Sequence, residues 1–302
     1  MMKKIILIIS IILTISASGN TSGNGGSYGA VYKNRGTAGY FSTGKAIAEN
    51  GADYIFYNPA GLIEPEKSEI TMTGAKLFNE IDGFKQIQAG GIYKYDKGKT
   101  KYSFGIDYSS FNINGIREAT GSTSNSGILT GNMYDASFSS ITLAGAQKIN
   151  DKFNAGMSLI FYNQEIYNRS YKNTVINAGG QYNTKNLSFN LVINNIYSTS
   201  ANPFREKEKM PMIMELGISY KLFDNIKIGL VFDKEKDRNI EFRAGMNYKF
   251  FESLRFNIGY IKESNQPTAG FNLLVKNIKL DYAFMKHEEL NITHKLSITL
   301  KI

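Results

Sequence analysis

Lys295-Leu296-Ser297-Ile298-Thr299-Leu300-Lys301-Ile302 closes the chain, alternating polar and aliphatic residues to the last position. Successive side chains of a strand point to opposite faces, so this segment has one greasy and one polar face. Working back, Ile278, Leu280, Tyr282 and Phe284 alternate with Lys279, Asp281 and Ala283. Ile240, Phe242, Ala244, Met246 and Tyr248 alternate with Glu241, Arg243, Gly245, Asn247 and Lys249. Leu187, Phe189, Leu191 and Ile193 alternate with Ser188, Asn190, Val192 and Asn194. From Glu69 onward the period of two persists, and fourteen such segments are expected. They fall near 69–78, 86–95, 101–113, 136–149, 153–167, 174–184, 187–196, 212–222, 226–233, 240–249, 254–262, 267–276, 278–286 and 293–302.

The connections carry separate information. Those at 79–85, 114–135, 168–173 and 197–211 are long, whereas 150–152, 184–186, 223–225 and the Asn277 turn are tight. Long loops on one side and short turns on the other mark a transmembrane barrel, with both termini on the periplasmic side. Fourteen strands enclose a lumen too wide for an apolar core, so the greasy face belongs outside, on lipid. Segments of 9–11 residues match a tilted membrane crossing. Tyr93, Tyr95, Tyr108, Tyr162, Tyr220, Tyr248 and Tyr260 are candidates for interfacial girdles.

The N-terminus explains how such a chain leaves the cytoplasm. Lys3 and Lys4 precede an apolar run from Ile5 to Ile15, and Ser16, Ala17, Ser18 and Gly19 follow, the layout of a cleaved signal peptide. Its loss lowers the 35 Lys+Arg to 33, against 26 Asp+Glu. Export makes nucleic acid an unfitting partner for that basic excess, and anionic lipid or lipopolysaccharide a fitting one. No later apolar run is long enough for a transmembrane helix, so entry into a membrane requires a closed barrel.

Composition narrows the chemistry. Among 302 residues there is no Cys and no Trp, and only His287 and His294. A disulfide scaffold, a thiol nucleophile and a Cys-based metal site are excluded. The sequence offers no nucleophile–base pair, phosphate loop or metal cluster, so no enzyme, cofactor or metal is expected. The abundance of 29 Gly, 19 Tyr and 19 Phe suits many short strands joined by turns.

Residues 20–35 form a Gly/Ser/Asn-rich leader, followed by small residues and a short helix expected near 45–50. Asn58-Pro59-Ala60-Gly61-Leu62 is the most distinctive local motif. Asn58 can cap a short helix with Pro59 at its first position, and Gly61 allows another backbone close by. The residues also read as a plain turn into the first strand. Together with Arg35-Gly36-Thr37-Ala38-Gly39, Ala46, Ala48 and Asp53, the motif resembles the N-terminal region of the PorV/PorQ family, within the FadL-type outer-membrane barrels. Met210-Pro211 with 215–220, residues 280–284 and 293–298 are similar to later segments of that family.

The resemblance implies an all-β, 14-stranded antiparallel transmembrane β-barrel whose small N-terminal segment folds inward as a plug. The expected organisation is signal peptide 1–19, leader and plug 20–68, and barrel 69–302 in the outer membrane. The function implied is transport, or secretion and surface attachment of exported proteins. Alternatives are a FadL-like channel for fatty acids or aromatics, and a structural or adhesive barrel with a sealed lumen. Expected partners are outer-membrane lipid and lipopolysaccharide, the barrel-assembly machinery, and secretion-system proteins or a hydrophobic ligand. Glu241, Arg243, Arg255, Asn257, Lys279, Asp281, Lys295 and Lys301 share the inward register. They read as an ion-pair ladder that anchors the plug, or as a carboxylate- or cargo-binding patch. Gly90-Gly91 and Gly179-Gly180 mark bulges or plug contacts. His287, His294 and the 205–209 charge run read as solvated loop residues.

Overall fold

The computed structural model describes residues 35–48, 50–77, 83–97, 100–120, 128–201, 208–236, 238–262, 264–287 and 291–302. The expected signal peptide, 1–19, and almost all of the expected leader lie outside the described residues. Beyond the plug, the chain forms β1 Glu69–Lys76, β2 Phe84–Lys97, β3 Thr100–Thr120, β4 Ile128–Lys148, β5 Phe153–Ile166, β6 Arg169–Asn183 and β7 Leu187–Ser198. A small ribbon follows, β8 Ser200–Ala201 against β9 Glu208–Lys209. Then come β10 Ile213–Phe223, β11 Ile226–Glu235, β12 Glu241–Lys249, β13 Leu254–Ile261, β14 Gln266–Val275, β15 Ile278–His287 and β16 Asn291–Lys301. All but the ribbon close one 14-stranded antiparallel barrel, sealed by β1 against β16.

The seam shows the logic of the wall. Inside, Thr71 bonds Thr299 at 2.9 Å and Thr73 bonds Ser297 at 2.7 Å, and all four are buried. Outside, Met72 stands opposite Ile298, and Ile298 opposite Leu280. Met72 is 65% exposed and Ile298 48%, so the aliphatic set points away from the lumen. Ile70, Ile87, Phe104, Ile106, Leu143, Met157, Ile258 and Leu300 continue this outer belt around the cylinder. An apolar surface this continuous requires hydrocarbon rather than water around it. The barrel therefore spans a membrane.

Several expectations need correction. The connection at 114–135 is largely strand: β3 and β4 run 21 residues each and stand well beyond the belt on one side. The polar, Gly-containing stretch hid this extension, because above a membrane neither face needs to be apolar. Strands β5 and β6 meet directly, leaving only 167–168 in place of the loop expected at 168–173. His294 lies within β16 and bonds the Tyr282 hydroxyl, and His287 ends β15, so neither is a loop residue. Of the girdle candidates, Tyr162 points inward and is buried, while Tyr93, Tyr95, Tyr108, Tyr220 and Tyr260 are exposed outside. Most of the 205–209 run lies outside the described residues. Tight connections gather at one end of the barrel, the turn end, and long ones at the other, the loop end.

Candidate functional site

The lumen is occupied by the plug, whose local structure follows from its caps. Helix α1, Ala38–Ser42, is capped by Thr37, whose hydroxyl accepts from the Tyr40 amide. Helix α2, Gly51–Tyr54, is opened by Asn50 in a capping box with Asp53. The helix expected near 45–50 is thus replaced by two helices flanking that stretch, where Gly44 and Lys45 turn with positive φ. Pro59–Ile63 forms a 3₁₀ turn, and the Asn58 side chain accepts from the Ala60 amide. That side chain also donates to Asn190 at 3.0 Å and to the Gly180 carbonyl at 3.3 Å. Lys94 closes the far end of the turn by donating to the carbonyl of Ile63 at 2.6 Å.

Each piece leans on a different sector of wall: α1 on β13–β16, α2 on β1 and β2, and the 3₁₀ turn on β3–β6. Five of the lumen candidates meet it directly, Asn257 by donating to the Ser42 hydroxyl at 2.8 Å. Lys279 donates to Asn50 Oδ1 at 2.9 Å, and Asn50 donates to Asp281 at 2.8 Å, with Asn272 also donating to Asp281. Lys295 donates to the Gly36 carbonyl at 2.9 Å and sits 3.5 Å from the centre of the Phe41 ring. Arg243 donates to the Lys45 carbonyl at 3.4 Å and to Glu215 at 2.7 Å, with Asp233 as its other acid. Glu241 is half-buried beside this cluster, and Arg255 is half-buried at the turn end. Glu215 and Asp233 were absent from the sequence-derived set. Their inward register was legible, but only strand pairing brings Glu215 opposite Asp233 with Arg243 alongside.

Asp53 is the hinge of the plug's own network, accepting from the Thr37 amide at 2.8 Å and the Asn50 amide at 3.2 Å. Burial pushes its carboxyl up to about 6, against these hydrogen bonds and the nearby Lys279. Because the docked value lies above the undocked one, the ionised form costs docking free energy at neutral pH. That cost begins to fall as pH drops through about 6 and is gone only below the ordinary carboxylate range. Amides of Thr37 and Asn50 are therefore expected to exchange more slowly, relative to intrinsic rates, at pH 5 than at pH 7.5, by about 1 kcal/mol of protection. Asp53→Asn should abolish that dependence; a variant with the full dependence intact would assign it elsewhere.

Glycines set how closely the plug can approach. A Cβ on Gly245 or Gly259 would overlap the backbone at Thr43 and Gly44, and one on Gly156 the backbone at Pro59 and Ala60. On Gly179 it would strike Asn58 Oδ1, and on Gly229 the carbonyl of Ala46. Glycine within a strand weakens it, and here the compensation is direct backbone approach. The plug-contact reading made for Gly179 extends to strands where a lone glycine gave no separate signal, whereas Gly90 faces Asp107 of the neighbouring strand.

Toward the loop end the lumen changes character. Leu77, Phe111, Phe138, Ile160, Val175 and Ile213 all face inward and form a buried apolar cluster with Tyr162. A uniformly wetted wall was expected, and this part is not wetted. Leu159-Ile160-Phe161-Tyr162 carries apolar residues on both faces, a signal that strict alternation overlooks. Arg35 stacks on Tyr162 with 4.7 Å to the ring centre. It is 3% exposed, and its guanidinium nitrogens have no hydrogen-bond partner among the described residues.

Solved structures share this architecture. The Pseudomonas putida toluene transporter TodX superposes with a TM-score of 0.61 at 11% identity, covering 87% of this chain and 96% of that one. A TodX deltaS2S3 mutant, described as a monoaromatic hydrocarbon channel, gives 0.63 at 12% identity over 88% and 99%. A Pseudomonas aeruginosa FadL homologue gives 0.56 at 10% identity over 88% and 98%. At such identities the likeness establishes the fold, that of FadL-type barrels, and does not separate the PorV/PorQ family from others in the group. No protein-family model matches the chain, and no curated protein matches its sequence.

Proposed function

We propose that the chain is an outer-membrane channel admitting hydrophobic or amphipathic small molecules past its seated plug. The turn end then faces the periplasm, with lipopolysaccharide around the loop end and the barrel-assembly machinery as the inserting partner. One observation carries the reading: the inward apolar cluster of Phe111, Phe138, Ile160 and Val175. A water-filled pore has no use for such a wall, whereas apolar pockets with a few placed polar groups bind small apolar ligands. Arg35 beneath it offers an anionic head group a charge-assisted partner. The fold shared with proteins described as hydrocarbon channels supports the same direction.

The test compares uptake of a fatty acid and of toluene by cells carrying the wild type or Ile160→Asp/Val175→Asp. Placing two carboxyls in that wall is expected to reduce uptake at least ~10-fold for both solutes. Arg35→Gln should weaken only the fatty acid. Unchanged uptake in the double variant would defeat the proposal. A second reading, PorV/PorQ-like retention of exported proteins, draws on the tall β3–β4 wall beyond the belt. No uptake by the wild type, with surface proteins lost on trimming 114–133, would favour it.

A further inference from the structure

The outer face of the barrel changes character toward the loop end. On β3 the outward residues Phe104, Ile106 and Tyr108 are exposed apolar groups, and Ser110 and Asn112 follow them. Asn112 is the register partner of Lys85 on β2, whose outward set runs from Tyr95 and Tyr93 at the turn end up to Ile87 and then Lys85. The step from Tyr95 to Lys85 covers about 34 Å of strand, and at the usual tilt about 25 Å of height, that of an outer-membrane apolar band. Lys85 therefore stands at the loop-end margin of the belt, where hydrocarbon gives way to head groups.

Basic side chains from four adjoining strands gather at this height. Lys76 of β1 lies directly opposite Lys85 on one side and His294 of β16 on the other. Lys286 of β15 is diagonal to His294, whose direct partner is Phe284. All three lysines are exposed, and none forms an ion pair with a described residue. Like charges directly opposite each other weaken a sheet, so the Lys76–Lys85 pair points to anionic groups alongside it. The Tyr282 hydroxyl meets His294 Nδ1 at 2.7 Å, and Phe271, Tyr282 and His294 line up across β14–β16. With Nδ1 engaged, Nε2 is the ring nitrogen that can meet a ligand.

Directly beneath Lys76 the belt has a notch. A Cβ on Gly74 would meet nothing within 4 Å. Its partners across the two neighbouring strands are Ile87 and Leu296, 59% and 52% exposed, so the notch has apolar sides and can take an acyl chain. Since β1 is paired along both edges, the patch offers no strand edge to a peptide. Cations above an apolar trough fit an anionic lipid instead.

We infer that this patch seats one molecule of lipopolysaccharide, its lipid A phosphates on Lys76, Lys85, Lys286 and His294 and an acyl chain in the Gly74 notch. From β2 to β15 the cations span three interstrand steps, about 14 Å, wider than one phosphate covers and suited to a diphosphorylated disaccharide. The site depends on the loop end facing outward, as proposed above, and not on what the channel admits. The test is native mass spectrometry of the full chain in mild detergent, titrated with deep-rough lipopolysaccharide, with the same glycolipid stripped of its phosphates, and with phosphatidylglycerol. A saturable one-to-one adduct is expected with the first, and binding at least ~10-fold weaker with the other two. Lys76→Gln/Lys85→Gln should weaken the adduct at least ~10-fold, and both positions are exposed, so the barrel stays folded. Gly74→Leu, which leaves every charge in place, should weaken it severalfold. Lys148→Gln, at the turn end, should leave it unchanged. Absence of a saturable adduct, equal binding of the dephosphorylated form or of phosphatidylglycerol, an unweakened Gly74 variant, or equal losses in the Lys148 and Lys76/Lys85 variants would overturn the site.

Discussion

Replacing Gly245 with leucine is expected to unseat the plug and convert a closed barrel into a conducting one. The new Cβ would occupy the space of the Thr43 carbonyl, which is backbone and has no rotamer to escape into. Overpacking costs typically about 1–3 kcal/mol, and contact with main chain places this site at the upper end. A cost of about 3 kcal/mol raises the undocked population more than 100-fold. In planar bilayers the variant should show frequent open events where the wild type is quiet, and amides of α1 should lose exchange protection. Gly74→Leu is the control, because a Cβ there meets nothing within 4 Å. A silent Gly245 variant with unchanged protection would mean that close packing against β12 and β13 does not hold the plug.

The second large effect concerns Arg243. Its guanidinium is 6% exposed between Glu215 and Asp233, at 3% and 14%. Arg243→Met leaves two carboxylates inside the wall without their cation, a loss of about 3–5 kcal/mol. It also removes the bond to the Lys45 carbonyl, so plug and barrel weaken together. The triple change Arg243→Met, Glu215→Leu and Asp233→Leu removes the whole set and should recover most of the stability, since apolar replacements of buried ion clusters are often neutral or better. Urea unfolding from lipid vesicles measures both. Equal midpoints for the single and triple variants would show that the cluster contributes nothing through its charges.

The legible part of this protein lies in residues such as Leu296, Ile298 and Leu300, whose outward direction needs only the next residue to define it. The Asn58 cap and Pro59 were equally readable, because the bond from the Asn58 side chain to the Ala60 amide spans two positions. The candidate site was half legible: inward register named Arg243, Lys279, Asp281 and Lys295, yet not the plug atoms each one meets. Nor did the letters of β3 and β4 reveal 21-residue strands, since beyond the membrane the alternation that marks a strand has no solvent contrast to maintain it.

Sequence alone therefore determined which face meets lipid in strands of clean alternation such as β12, β15 and β16, and that the cylinder must close, because side-chain direction in a strand is a local property of period two. Tertiary structure decided everything that depends on residues far apart: which glycine admits the plug, which acids share Arg243, and which lysines gather beside His294. Those relations are set by strand register and by plug placement, over separations such as the 231 positions between Asn50 and Asp281. No local pattern encodes a partner that only the closed barrel brings within reach.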